Sequence, residues 1–343
     1  CSDAPMWKGV AVWGTGTGTF QAAVSGRFVA QNNSVIEHAL EAASNYNYLA
    51  TPSNANNGGI IKATTGTTFR NNLKDLVFKP YQSMVIGNPQ NDQSFFSDVT
   101  FITDGSLNIP SYNNYIEHVD LDNVTGIRFL GCDFENTDVT ATTYTYLNRG
   151  VGITATDARF TVDGRCTSMV FPCGSYDRSK FTNLTRGISA SNSTLRPQIA
   201  SVKRSDFDNV WRSIYLNNME PPIVILNNFD VGASFFIPFL GLQQSYGLYL
   251  NNCSGYTVEN NDFTTTHNGY FGVYVNSSGT AANEIYRNNF SNFVVASQAA
   301  NVNGDGGSTT AQNGLEFSCN KYVSTSDYDI LVSSGRVRSD QGN

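Results

Sequence analysis

YGLYLNNCSGYTVENNDF at 246–263 and FGVYVNSSGTAANEIYRNNF at 271–290 are one phrase written twice. Gly-Leu-Tyr-Leu-Asn at 247–251 answers Gly-Val-Tyr-Val-Asn at 272–276, and Asn-Asn-Asp-Phe at 260–263 answers Asn-Asn-Phe at 288–290. Apolar residues alternate as in a half-buried strand, and each phrase closes on Asn-Asn and an aromatic. A repeat of this length is a supersecondary unit that cannot bury its apolar face alone and must stack on its neighbours.

The phrase extends in both directions. Closing aromatics fall at 181, 207, 229, 263, 290 and 322, with gaps of 26, 22, 34, 27 and 32 residues. A coil of roughly 22–27 residues with loop inserts explains these gaps, whereas short antiparallel hairpins would place Asn-Gly or Asp-Gly turns at close, regular spacing. Upstream, 8–14, 59–63, 67–72, 74–80, 97–104, 124–136 and 150–164 read as further strands, and 109–114 as a loop. Residues 32–46 hold apolar residues at helical spacing but fit strand–turn–strand with a small helical turn. The expected architecture is therefore all-β, a parallel β-helix of roughly a dozen coils in a single domain over 1–343, with a polar tail at 330–343. The crossover preference makes it right-handed. Gly opens strands, Ile, Val and Phe fill the interior, and the corner Asn tolerates left-handed backbone and ladders with the coil above.

Composition narrows the function. Charged residues are 14% of 343, hydrophobic residues 40% and aromatics 12%, with a net charge of −7. This is not a disordered composition, and without a basic patch nucleic acid is not an expected partner. No apolar run reaches the length of a membrane helix; the longest, 233–242, contains Pro238. Six cysteines stand at 1, 132, 166, 173, 253 and 319, with no CxxC pair and three histidines, so no zinc site is expected. Cys166 and Cys173 are spaced for a disulfide-closed loop, with buried thiols as the other reading. Cys132, Cys253 and Cys319 read as core residues. The first residue, Cys1, fits either a lipidated start or an internal fragment boundary.

Met-Trp-Lys-Gly-Val-Ala-Val-Trp-Gly at 6–14, Gly-Gly-Ile-Ile-Lys-Ala-Thr at 58–64, Gly-Thr-Thr-Phe-Arg-Asn-Asn at 66–72, Phe-Leu-Gly-Cys-Asp-Phe-Glu-Asn at 129–136 and the phrase at 247–263 resemble large secreted β-helix proteins of Bacteroidetes. The likeness covers 1 to about 330. It implies export to the cell surface or medium as type IX secretion cargo, with secretion machinery or cell-surface components as partners. A Cys before the Met-Trp phrase matches that family, which favours the fragment reading of Cys1. The resemblance supplies no catalytic motif.

Parallel β-helices also resemble pectate lyases and other polysaccharide enzymes, which use acidic clusters with Ca²⁺ or paired carboxylates. The best acidic pair is Asp120 and Asp122, which share a strand face by period two with His118 two residues before; a solvated strand face is the simpler reading of them. Asp157 and Asp163 flank the neighbouring coil, Asp206 sits beside Lys203 and Arg204, and Asp133 replaces a corner Asn. No nucleophile elbow, metalloprotease or phosphate-loop motif occurs. The Thr run at 14–19 is not repeated in later coils, and 301–310 has the wrong spacing for a calcium loop, so no cofactor is expected and Ca²⁺ has no ligand set behind it. The remaining hint is a cluster of tyrosines, Tyr246, Tyr249, Tyr270 and Tyr274, with Phe271, on two adjacent coils. Outward aromatics suit sugars or partner proteins, although tyrosine also favours strands for its own sake. The expected function is a non-enzymatic adhesion or structural module with polysaccharide as a ligand; the alternative is a polysaccharide lyase or glycoside hydrolase working through Asp120 and Asp122.

Overall fold

A strand with one apolar face is stable only when that face is covered, and here each coil covers the next. The computed structural model describes residues 6–16, 18, 20–49, 56–105, 107, 117–138, 149–194, 196–233, 244–267, 269–305, 313–339 and 341. The chain divides into two compact units, 1–180 and 181–343. Both are parallel β-helix. In the first, strands Val10–Ala11, Glu41–Ser44, Lys74–Phe78, Glu117–Asp122 and Val151–Thr156 pair in parallel along one face. In the second, Arg186–Ser191, Arg212–Asn217, Tyr246–Asn251, Phe271–Asn276, Val295–Val302 and Tyr328–Arg336 do the same. Among the described residues the two faces hold five and six such strands, each one marking a coil. Coils of the second unit add two further strands that meet at the Asn corner, such as Thr257–Glu259 and Asp262–His267, whereas Ile60–Arg70 and Phe95–Thr103 in the first unit are single strands.

The repeat is legible in the packing. In the second unit, Phe181, Phe207, Phe229, Phe263, Phe290 and Tyr322 stack in file, with successive ring centroids 4.7, 4.8, 4.4, 5.0 and 5.2 Å apart. In the first, Phe69, Phe101 and Phe134 stack at 5.3 and 4.8 Å. Such contacts add about 0.5–1.5 kcal/mol each beyond burial.

The corner differs from expectation in one respect: left-handed geometry and laddering belong to different residues. Leu226, Asn260, Arg287 and Cys319 have positive φ, and the following asparagine makes the ladder. Asn227 Nδ2 donates to Asn261 Oδ1 (3.0 Å), Asn261 Nδ2 to Asn288 Oδ1 (2.9 Å) and Asn288 Nδ2 to Asn320 Oδ1 (3.1 Å). Asp133 is accordingly not a corner residue. Gly131 takes the positive φ, Cys132 the ladder place, and Asp133 begins the next strand, within 3.7 Å of Lys180.

At Gly247 the neighbouring coil and the Phe263 ring leave no room for a side chain. A Cβ on Gly247 would lie 2.7 Å from the Phe263 ring and 2.8 Å from the Gly272 carbonyl oxygen. Residues 32–46 form strands Val35–Glu37 and Glu41–Ser44, not a helix; a short helix lies earlier, at Gln21–Val24. The tail expected from 330 is corrected, because Tyr328–Arg336 is a full strand pairing with Val295–Val302. Cys166 and Cys173 are disulfide-bonded, and Cys132 and Cys253 are buried free thiols. Cys319 is exposed rather than core, since it occupies the left-handed corner. The readings placed on Cys1, 109–114, 234–242 and 306–310 lie outside the described residues.

Candidate functional site

Two surfaces carry chemistry, one in each unit, and both sit on the long first strand of the coil. Its third and fifth residues point into the core and its fourth and sixth point out, as Leu248 and Leu250 against Tyr249 and Asn251 illustrate. The second residue is small in most coils: Ala42, Gly152, Gly187, Ser213, Gly247, Gly272 and Ala296.

In the first unit the second position instead carries Asp75 and, on the next coil, His118, both buried. The His118 Nδ1 and Asp75 Oδ2 atoms lie 2.6 Å apart, and Asn72 Nδ2 donates to Asp75 Oδ1 at 2.8 Å. Burial pushes the Asp75 carboxyl above its usual range, and the bonds from His118 and Asn72 pull the other way. The His118 ring lies beside the stacked Phe101 and Phe134 rings, 6.4 Å from each centroid. His118 therefore does not share a surface with Asp120 and Asp122. Two-residue periodicity fails at a position where the strand turns its side chain inward.

On the outer side, Lys74 Nζ lies 2.8 Å from Glu117 and 2.9 Å from Asp120, and Lys79 Nζ lies 3.4 Å from Asp120. Burial opposes the Lys74 charge, but Glu117 and Asp120 outweigh it and hold its pKa above the ordinary lysine range. Tyr46 donates to Glu41 at 2.8 Å, and burial with that bond raises its phenol. Two carboxylates and two lysines thus converge across adjacent coils, as a polysaccharide enzyme requires. Their charges are spent on each other, and a lysine held protonated is a poor general base. Asp122 differs: burial raises its carboxyl, Lys79 opposes this, and Asp120 and Asp157 add to it. Asp163 is not part of the group, because it lies on a different strand, opposite Leu130. Asp206 accepts from Asn228 Nδ2 at 2.8 Å. No group of three or more His, Cys, Asp and Glu side chains is placed to hold a metal among the described residues.

In the second unit the fourth strand position reads Tyr215, Tyr249 and Tyr274 on three successive coils in register. Tyr215 meets Tyr249 edge-on at 5.3 Å, and Tyr249 meets Tyr274 at 4.6 Å and 56°. All three are half-buried and lean on a seam of Tyr246, Phe271 and Val295 from the first strand position. Tyr246 is only 6% exposed and Arg212 stacks over its ring at 5.2 Å, so this tyrosine supports the surface instead of presenting a ring. Burial raises its phenol to about 12. Tyr270 packs on Phe271 at 4.6 Å. Tyr215 was missed in the sequence although Ser-Ile-Tyr-Leu-Asn at 213–217 aligns with Gly-Leu-Tyr-Leu-Asn.

Beside the rings runs a second amide ladder. At the sixth position Asn251 Nδ2 donates to Asn217 Oδ1 (2.7 Å) and Asn276 to Asn251 (2.7 Å), and Asn301, one residue past the sixth position of its strand, donates to Asn276 (2.6 Å). Burial raises the phenols of Tyr249 and Tyr274, so both stay neutral at physiological pH. Aromatic faces bordered by neutral amides can stack on the C–H face of a sugar ring and bond its hydroxyls. No carboxylate interrupts the three coils at the fourth and sixth positions. No helix is long and apolar enough to cross a membrane among the described residues. Comparison with protein-family models, curated proteins and solved structures returns no match.

Proposed function

We propose that this chain is a non-enzymatic, exported β-helix module of the cell surface or medium that binds neutral polysaccharide, in the manner of an adhesin or structural protein. The observation that carries this reading is the column Tyr215, Tyr249 and Tyr274 beside the ladder Asn217, Asn251 and Asn276: rings and amides in one register, uncharged. The Cys166–Cys173 disulfide on an exposed loop supports an oxidising compartment outside the cytosol. Together with the resemblance to secreted Bacteroidetes proteins, it supports export, with type IX secretion as the route. The test is a glycan-array screen followed by titration of the best ligand into Tyr249→Ala and Tyr274→Ala. Each variant loses at least about tenfold in affinity, the equivalent of roughly 1.4 kcal/mol, while Asp120→Asn binds as the parent does. Equal binding by all three variants removes the tyrosine column from consideration.

A second reading is a glycoside hydrolase at Asp120 and Asp122. It is favoured by one observation, that the two carboxyls sit in opposed environments, Asp120 between two lysines and Asp122 raised by burial. Release of reducing ends from a polysaccharide, abolished in both Asp120→Asn and Asp122→Asn, would establish it in place of the first.

A further inference from the structure

One face of the first unit gathers cations that stand alone in the sequence. Strands Arg27–Ala30, Ile60–Arg70, Phe95–Thr103, Thr125–Leu130 and Arg159–Asp163 lie side by side there in parallel. Their register sets Val29, Lys62, Phe95, Arg128 and Thr161 in one row. The row points outward, since the flanking Ile61, Ala63, Phe96, Ile127 and Phe129 are buried. Lys62 Nζ lies 5.3 Å from the Phe95 ring centroid and the Arg128 guanidinium carbon 5.9 Å, one reaching over from the coil before and one from the coil after. Cation–π attraction therefore holds both side chains in place before any ligand arrives.

What sets the two cations apart is their lack of counter-charge in a chain of net charge −7. Elsewhere in this unit Arg70 pairs with Asp104, Lys74 with Glu117 and Asp120, Lys79 with Asp120, Arg165 with Asp98 and Asp177, and Lys180 with Asp133. Lys62 and Arg128 form no ion pair among the described residues. The carboxylates around them are committed elsewhere. Asp92 is buried and bonded to Gln21 Nε2 (2.8 Å) and Ser94 N (2.7 Å). Asp98 lies 3.3 Å from Arg165. Asp163, on the next coil and two residues further along its strand, accepts from Gly164 N at 2.7 Å. Asp122 and Asp157 belong to the adjoining face and its left-handed corner. Two like charges held within a Debye length of each other, with no anion between them, attract one from solution.

We infer that the Lys62–Phe95–Arg128 row binds a linear acidic polysaccharide carrying a carboxylate on every second sugar. Adjacent coils stand about 4.8 Å apart, so the two cations rise about 10 Å from each other along the coil axis. An extended glycan lying along that axis brings acidic groups on alternate sugars to the same interval, and the sugar between them meets the apolar Phe95 edge. Two cations are too few for an anionic membrane, whose recognition takes clusters of roughly four to eight, and too widely spaced for the closely set phosphates of nucleic acid. This surface is independent of the tyrosine column. The test is calorimetric titration of the full chain with a hyaluronan tetrasaccharide, which holds two carboxylates on alternate sugars. The parent binds it, and binding weakens as salt rises. Lys62→Gln and Arg128→Gln each lose at least about tenfold in affinity and salt sensitivity with it, whereas Lys62→Arg and Arg128→Lys keep both. Tyr249→Ala binds as the parent does, and glucuronic acid alone binds at least about tenfold more weakly than the tetrasaccharide. Both glutamine substitutions are at solvent-facing positions, and unchanged thermal melting verifies folding. No binding at low ionic strength, glutamine variants that bind as the parent does, glucuronic acid bound as well as the tetrasaccharide, or tighter binding of a single-stranded oligonucleotide or of anionic vesicles through the same two residues each overturns the inference.

Discussion

Replacing Asn261 with alanine leaves the backbone in place and removes one rung of the corner ladder. Its side chain is fully buried and makes four bonds. Nδ2 donates to Val224 O and Asn288 Oδ1, both at 2.9 Å, and Oδ1 accepts from Asn227 N and Asn227 Nδ2, both at 3.0 Å. After truncation Asn288 Oδ1 keeps the Asn261 backbone donor and Val224 O keeps its place in the parallel ladder with Thr257–Glu259, whereas Asn227 N and one Asn227 amide proton lose their partners. A buried polar group left unpaired costs about 1–3 kcal/mol. Two such groups with partial relaxation give a destabilisation of about 2–4 kcal/mol. Asn260, one residue earlier, is the control: its φ is 53° and its side chain reaches only the exposed Glu259 carboxylate. Asn260→Ala should cost about 1 kcal/mol, the difference between asparagine and alanine in left-handed geometry. Guanidinium unfolding measures both, and hydrogen exchange in peptides spanning 223–229 and 283–290 localises the damage. If Asn260→Ala costs as much as Asn261→Ala, the division of labour at the corner is wrong.

Other substitutions test the remaining claims. Lys74→Met strands the nearly buried Glu117 carboxylate and should cost about 3–5 kcal/mol in chemical unfolding, against less than about 1 kcal/mol for Lys79→Ala at the more exposed rim. Gly272→Ala forces a Cβ to 2.6 Å from both the Ala296 carbonyl oxygen and the Phe290 ring, and a loss of about 1–3 kcal/mol in the same assay is expected. The raised Asp122 carboxyl makes the native state less stable once pH rises through its folded pKa, and the penalty disappears on acidification below the unfolded value. Asp122→Asn should therefore raise the melting temperature near pH 7 relative to the parent and lose that advantage near about pH 4; a pH-independent difference would contradict the assignment.

The repeat was legible because its aromatics and asparagines recur as residue types, and stacking like on like is what a parallel coil rewards. The tyrosine column was partly legible for the same reason, although alternation alone could not show that Tyr246 is covered by Arg212. The Asp75–His118 pair was hidden. Two-residue periodicity assigns His118 to the side of Asp120, yet the strand's second residue turns inward, and only aligning Lys-Asp-Leu-Val at 74–77 and Glu-His-Val-Asp at 117–120 beneath Tyr-Gly-Leu-Tyr reveals that they fill the glycine column. The partners of Asp120 were hidden because Lys74 and Lys79 reach it from another coil, over a sequence separation that no local motif records.

The central claim is that the tyrosine column of the second unit is the ligand surface. Hydrogen exchange with and without a saturating neutral polysaccharide from the array tests it most directly. Protection confined to peptides covering Arg212–Asn217, Tyr246–Asn251 and Phe271–Asn276 is the predicted result. Protection centred on Lys74–Phe78 and Glu117–Asp122, with shortening of the polysaccharide during the experiment, would contradict it and move the function to the carboxylates.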